Sequence, residues 1–168
     1  MAMDDLTRRH LLAGLGALGL GGCGKSRAPA APAARRLVTV GGAITEIVYA
    51  LGLGGEVVAA DTSSIFPPEA TKLPQVGYQR ALSAEGVMAL KPTLVLASHD
   101  AGPPVALEQI KAAGVEVVVI PGPPTIEGAQ AKVRAVGQRL GRTSEAEALA
   151  ARIAREAAPG LALAKAAT

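Results

Sequence analysis

Tryptophan is absent from this 168-residue chain, and its aromatic residues number three: Tyr49, Phe66 and Tyr78. A core must be aliphatic, and the 49% hydrophobic share, mostly Ala, Val, Leu and Ile, is ample for one. Cysteine occurs once, at Cys23, and histidine twice, at His10 and His99. That scarcity excludes a disulfide framework and a Cys-rich zinc module. A metal would have to use other donors or arrive in a prosthetic group. A strong charge of one sign is also missing, the net charge being +3. Four basic residues, Lys25, Arg27, Arg35 and Arg36, cluster in one segment and the rest of the chain mixes signs. No nucleic-acid-binding face is indicated. The length fits one domain, or one domain with an incomplete second.

What is there begins with an address. Thr7-Arg8-Arg9-His10 runs into the apolar segment Leu11 to Leu20. That segment is shorter than the ~20 residues a membrane-spanning helix needs. A basic start, a short apolar stretch and then small residues describe an export signal of twin-arginine type. It ends in Leu20-Gly21-Gly22-Cys23, which resembles a bacterial lipobox, whose cysteine carries a diacylglycerol. The competing readings of Cys23 are part of a membrane anchor, which the length opposes, and a buried thiol, which the flanking glycines oppose. Residues 19–26, GLGGCGKS, also fit the P-loop pattern G-x-x-x-x-G-K-S/T. A P-loop needs a strand before it and a helix after it. Here a signal-like segment precedes and a Pro/Ala stretch follows, which cannot continue as a helix. The match is compositional. The Ala/Pro stretch reads as an extended spacer.

From Arg36 the chain alternates between short apolar runs and amphipathic segments. Strands are expected at 37–40, 56–60, 93–97 and 115–120. Helices are expected through Ile44, Ile47, Val48 and Leu51, from Ser83 as N-cap, over 105–113 and over 126–140. Ser144 and Glu147 form the pattern of a capping box for a last helix reaching about residue 158. Runs such as VEVVVI, apolar but for one glutamate rather than alternating, point to parallel strands covered on both faces, hence a doubly wound α/β sheet. Right-handed crossovers then gather the after-strand loops on one edge, where ligands bind in open α/β sheets. Those loops are Gly41-Gly42, Asp61 to Ser64, Ser98 to Pro104 and Pro121 to Pro124. Tyr49, beside Ile47 and Val48, reads as a core or half-buried residue.

Three stretches, RLVTVGGAITEIVYALG, DTSSIFPPEATKLPQVGYQRALSAEGVMALKPTLVLAS and AGPPVALEQIKAAGVEVVVI, resemble the N-terminal lobe of the periplasmic hemin-binding proteins. These are substrate-binding lipoproteins of heme ABC importers, within the group that also carries siderophores and cobalamin. The resemblance runs from about Arg36 to the C-terminus, and GYQR is its hemin-specific element. It implies two α/β lobes joined by a long helix. The organisation expected here is an export signal over 1–22, a flexible linker over 23–35, an N-terminal α/β lobe over 36–142 and the start of the interlobe helix over 143–168. The second lobe is absent, so the chain is a fragment or a truncated product, or another chain completes the cleft.

The resemblance further implies ferric heme as the transported ligand, Tyr78 as an axial ligand of its iron, and Arg80 as its assistant. The chemistry is consistent: ferric iron favours an anionic oxygen, and tyrosinate is a known heme ligand. Ionising a tyrosine with an ordinary pKa near ~10 needs help, which the iron and a guanidinium both supply. The alternatives are a packing tyrosine and an ordinary solvated arginine. His99, directly after a strand at the ligand edge, faces the iron or a propionate, or else bonds Asp100 or water. Glu85 corresponds to the acidic residue that docks on the arginines of the permease, or is a solvated carboxylate near a helix N-terminus. Partners implied are hemin, a permease with its ATPase subunits, and a membrane through a lipid anchor. The competing functions are a siderophore or cobalamin carrier and, from another class, an enzyme on the same sheet.

Overall fold

The computed structural model of the protein describes residues 34–166. The expected export signal, Cys23, the P-loop-like stretch and nearly all of the expected linker lie outside those residues. In chain order the elements are β1 (Leu37–Val40), α1 (Gly42–Ala50), β2 (Val57–Ala60), β3 (Gly77–Tyr78), β4 (Ala81–Leu82), α2 (Ala84–Ala89), β5 (Leu94–Ser98), α3 (Pro104–Ala112), β6 (Glu116–Ile120), α4 (Ile126–Leu140) and α5 (Thr143–Ala166). Short 3-10 turns occupy Gly54–Glu56 and Ala70–Lys72.

The four longer strands pair in parallel in the order β2-β1-β5-β6. Side chains alternate across the two central strands. Leu37, Leu94 and Leu96 point to one face, where Ile44, Ile47 and Val48 of α1 and Val133, Val136 and Leu140 of α4 cover them. Val38, Val40, Val95 and Ala97 point to the other face and meet Val87 of α2 and Ala106, Leu107 and Ile110 of α3. The sheet is therefore doubly wound, as its apolar runs require. Each fully buried aliphatic side chain, such as Ile44 or Leu96, stabilises the fold by roughly 1.5–3 kcal/mol.

Local signals set the helix ends. Ser83 Oγ accepts from Gly86 N at 3.0 Å, and Thr125 Oγ1 accepts from Gly128 N at 2.9 Å. Gly141 closes α4 in the left-handed conformation, φ 72°. Tyr49 is half-buried and packs against the α1/α4 core. Burial, and then the charge of Glu69, push its hydroxyl above the ordinary tyrosine range.

Four expectations need correction. The capping box does not form: α5 starts at Thr143, so Ser144 is already helical, and Glu147 accepts from Arg134 Nε instead, at 3.0 Å. Glu145 does the work at this helix start. Its carboxyl is held below the ordinary range, first by its own backbone N–H and then by Arg142. The helix also runs past residue 158, through Pro159, to Ala166. Ala146 and Ala150 in its first turns belong to the lobe's core, whereas Leu161 and Leu163 are exposed. Third, Glu116–Ile120 is, among the described residues, an edge strand and only partly covered: Ile120 is buried, Val117 and Val118 are half-buried, and Val119 is 41% exposed. Finally, Glu56 is not in the second strand; it lies in a 3-10 turn and pairs with Arg35 at 2.6 Å.

Candidate functional site

The strand order reverses between β1 and β5: from β1 the chain winds outward to β2, then returns to the other side of β1 to lay down β5. Such a switch point opens a crevice at the carboxyl ends of the two strands. A cleft of about 290 Å³ lies there, lined by Gly41 and Gly42 after β1, Ser98, His99 and Asp100 after β5, and Gln79, Ser63 and Lys132 around them.

The floor on the β1 side is locked by a buried carboxylate. Asp61, fully buried, follows β2 directly. Its Oδ1 accepts from Gly41 N and Ser64 Oγ, both at 2.8 Å, and its Oδ2 accepts from Ser63 N at 2.9 Å and Ser63 Oγ at 2.6 Å. Ser64 Oγ lies 2.7 Å from Thr45 Oγ1, which donates to Thr39 Oγ1 at 2.8 Å. The polar side chains beneath the cleft are thus all partnered, as burial demands. Gly41 takes φ 103°, a conformation that favours glycine, and a Cβ there would meet Ser98 Cβ at 3.0 Å. Its lack of a side chain is what lets the ends of β1 and β5 approach.

Across this switch point lies a small antiparallel hairpin, β3–β4, in the Pro-containing passage between β2 and α2. It bridges the two sides. Thr62 N donates to Gly77 O at 2.9 Å on the β2 side; on the β5 side Gly102 N donates to Gln79 O at 2.8 Å and Leu82 N to Gly102 O at 2.9 Å. Ser98 Oγ reaches Gln79 Oε1 at 3.5 Å.

Tyr78 sits on this hairpin, 48% exposed, and among the described residues its hydroxyl forms no side-chain hydrogen bond. Arg80 in the hairpin turn places Nη2 3.4 Å from Asp100 Oδ2, and His99 Nε2 lies 3.1 Å from Asp100 Oδ1. The hairpin therefore brings Tyr78, Arg80 and His99 to the same edge, with Asp100 as the hub between the last two. Glu85 stands apart from that trio: it is exposed in the first turn of α2, just beyond the Ser83 cap. Sequence reasoning named Asp100 only as a partner for His99, placed Asp61 in an edge loop without a role, and missed Lys132. The Asp-x-Ser spacing of the β2 loop is an Asx-turn signal that points to Asp61. Lys132 carries no local signal, since it reads as one more polar residue on α4.

An exposed oxygen donor beside a paired arginine can bind a metal complex carrying acidic side arms. Among the described residues no group of three or more His, Cys, Asp or Glu side chains converges on a metal site. The cleft is also at the small end of the ~300–1,000 Å³ that encloses a drug-sized ligand.

Residues 37–162 match the model of the periplasmic binding protein family. The chain belongs to that family. Among solved members, the periplasmic heme-binding protein RhuT of Roseiflexus sp. RS-1, in apo form, is 47% identical with a TM-score of 0.75, over 79% of this chain and 51% of that one. A periplasmic heme-binding protein of Pseudomonas aeruginosa is 36% identical with a TM-score of 0.72, over 80% of this chain and 49% of that one. A vitamin B12-binding protein of Photorhabdus laumondii is 38% identical over 82 residues, 49% of this chain and 30% of that protein. The chain thus spans about half the length of these solved family members and less than a third of the curated one. No helix of the described residues is long and apolar enough to cross a membrane.

Proposed function

We propose that this chain is the N-terminal lobe of an extracytoplasmic hemin carrier that hands its ligand to an ABC permease and its ATPase subunits. The observation that carries the reading is Tyr78: a half-exposed phenol, free of side-chain hydrogen bonds among the described residues, on a hairpin tied across the switch point. A packing tyrosine would bury its ring and satisfy its hydroxyl; Tyr78 does neither. Heme carriers at 47% and 36% identity support the choice of ligand. In this reading Tyr78 ligates ferric iron through its phenolate, and Arg80 and His99 stand beside the porphyrin's edge. A second lobe supplies the other wall, and the protein holds heme without chemistry on it. Residues 1–22 act as export signal, 23–35 as linker, and Cys23 as the lipidated residue that tethers the mature protein. Glu85 docks on the permease.

The test is an absorption titration with hemin. Wild type is expected to give a high-spin ferric spectrum with a phenolate-to-iron charge-transfer band. Tyr78→Phe keeps the ring and loses the donor, so the band should vanish while the fold survives. Identical spectra for the two proteins would remove Tyr78 from the site. Two side readings have their own checks: membrane partition after export for Cys23, and uptake by a two-lobe relative carrying the Glu85→Ala change at the matching position. The B12-binding relative favours cobalamin as the second reading. Cobalamin needs no oxygen donor from the protein, so a cobalamin carrier would bind its ligand equally well with Phe at position 78.

A further inference from the structure

The two cations at the cleft are not equally partnered. Arg80 is committed to Asp100, and Asp100 also holds His99. Asp61 beneath is saturated by four donors. Lys132 lines the same cleft, and among the described residues it forms neither an ion pair nor a side-chain hydrogen bond. Glu46 shares with it the adjoining groove over α1 and is not paired with it either.

The path of the side chain is built in. Lys132 lies in the second turn of α4. Helical side chains lean toward the N-terminus of their helix, and the N-terminus of α4 is at the ligand edge. The stem runs past Gly122 in the β6–α4 loop, where a Cβ would come within 2.8 Å of Lys132 Cε. Glycine at 122 leaves the slot through which the lysine reaches the cleft. The stem is partly buried, and among the described residues the ammonium has no ion-pair partner.

From this geometry we infer that Lys132, rather than Arg80, is the residue that receives a carboxylate of the ligand. The inference rests on the hemin reading for the identity of that carboxylate, a porphyrin propionate. Arg80 already has a carboxylate neighbour, with Nη2 3.4 Å from Asp100 Oδ2, whereas Lys132 has no ion-pair partner among the described residues. A hydrogen bond to a charged partner contributes on the order of a tenfold change in affinity.

The experiment titrates the full chain with hemin and with hemin dimethyl ester, which has the same iron and ring without the acids. Lys132→Met keeps most of the stem and should weaken hemin about tenfold while leaving ester binding and the ferric spectrum unchanged. Lys132→Arg should restore hemin affinity. Gly122→Ala, which displaces the lysine tip without removing its charge, should give an intermediate loss. Equal weakening of hemin and ester by Lys132→Met, or no weakening of either, would overturn the assignment. A second readout is independent of heme. Propionate should produce saturable shifts at the amides of Gly41, Ser98 and His99 that Lys132→Met abolishes; their absence in wild type would also overturn it. Loss of the tyrosinate band with the propionate response intact would remove the hemin reading and leave Lys132 standing.

Discussion

Two aspartates sit at the ends of parallel strands on the same edge of this sheet and do opposite work. Asp61, after β2, is fully buried and accepts four hydrogen bonds from the β1 turn and its own loop. Asp100, after β5, has a side chain 41% exposed and holds Arg80 and His99 at 3.4 and 3.1 Å. The first is surrounded by short, local donors that cannot go elsewhere. The second is contacted by long side chains whose water-facing alternatives cost little. Position on the sheet does not separate the two; the surroundings do. One fixes the loops that frame the cleft, and the other tunes which charges face it.

The comparison can be broken from the buried side first. Asp61→Ala leaves Gly41 N and the two serines without their acceptor, so stability should fall on the order of 3 kcal/mol or more, read from the urea midpoint. A loss under about 1 kcal/mol would show that water replaces the carboxylate and that the site is not locked. Ser64→Ala is the next test. It removes one donor to Asp61 and the neighbour of Thr45, and should cost about 1–2 kcal/mol in the same measurement. Asp100→Asn sits at the small end. An exposed pair contributes ~0–1 kcal/mol, so the urea midpoint should barely move. Hemin affinity should instead rise a few-fold, as Arg80 loses its competing carboxylate. A large drop in stability, or unchanged hemin affinity, would erase the distinction between the two aspartates.

Much of the architecture was legible from local pattern. LVTV and LVLAS are mostly apolar and became the two covered central strands; Ser83 marks a helix start because capping is decided within one turn of chain. The loops of the ligand edge followed from strand and helix order alone. Other features were not legible. VEVVVI has the composition of a covered strand and is only partly covered, at the edge of the sheet among the described residues, a place that only the sheet order decides. Ser144 and Glu147 carry a capping pattern, yet Arg134, on the neighbouring helix, captures the glutamate. The β3–β4 hairpin forms in a Pro-rich passage because its carbonyls and amides find partners on two loops distant in sequence.

The candidate site divides the same way. Tyr78 and Arg80 stand out in the sequence because aromatics are scarce and the GYQR element is short and contiguous. Asp100 as the partner of Arg80, Asp61 beneath Gly41, and Lys132 threaded past Gly122 join residues 10 to 20 positions apart. Sequence alone determined where the four parallel strands and the helices between them lie, to within a residue or two at their ends, because periodicity and capping act over a few residues. Tertiary structure alone decided which charges meet, because an ion pair or a buried hydrogen bond depends on where loops from separate strands converge.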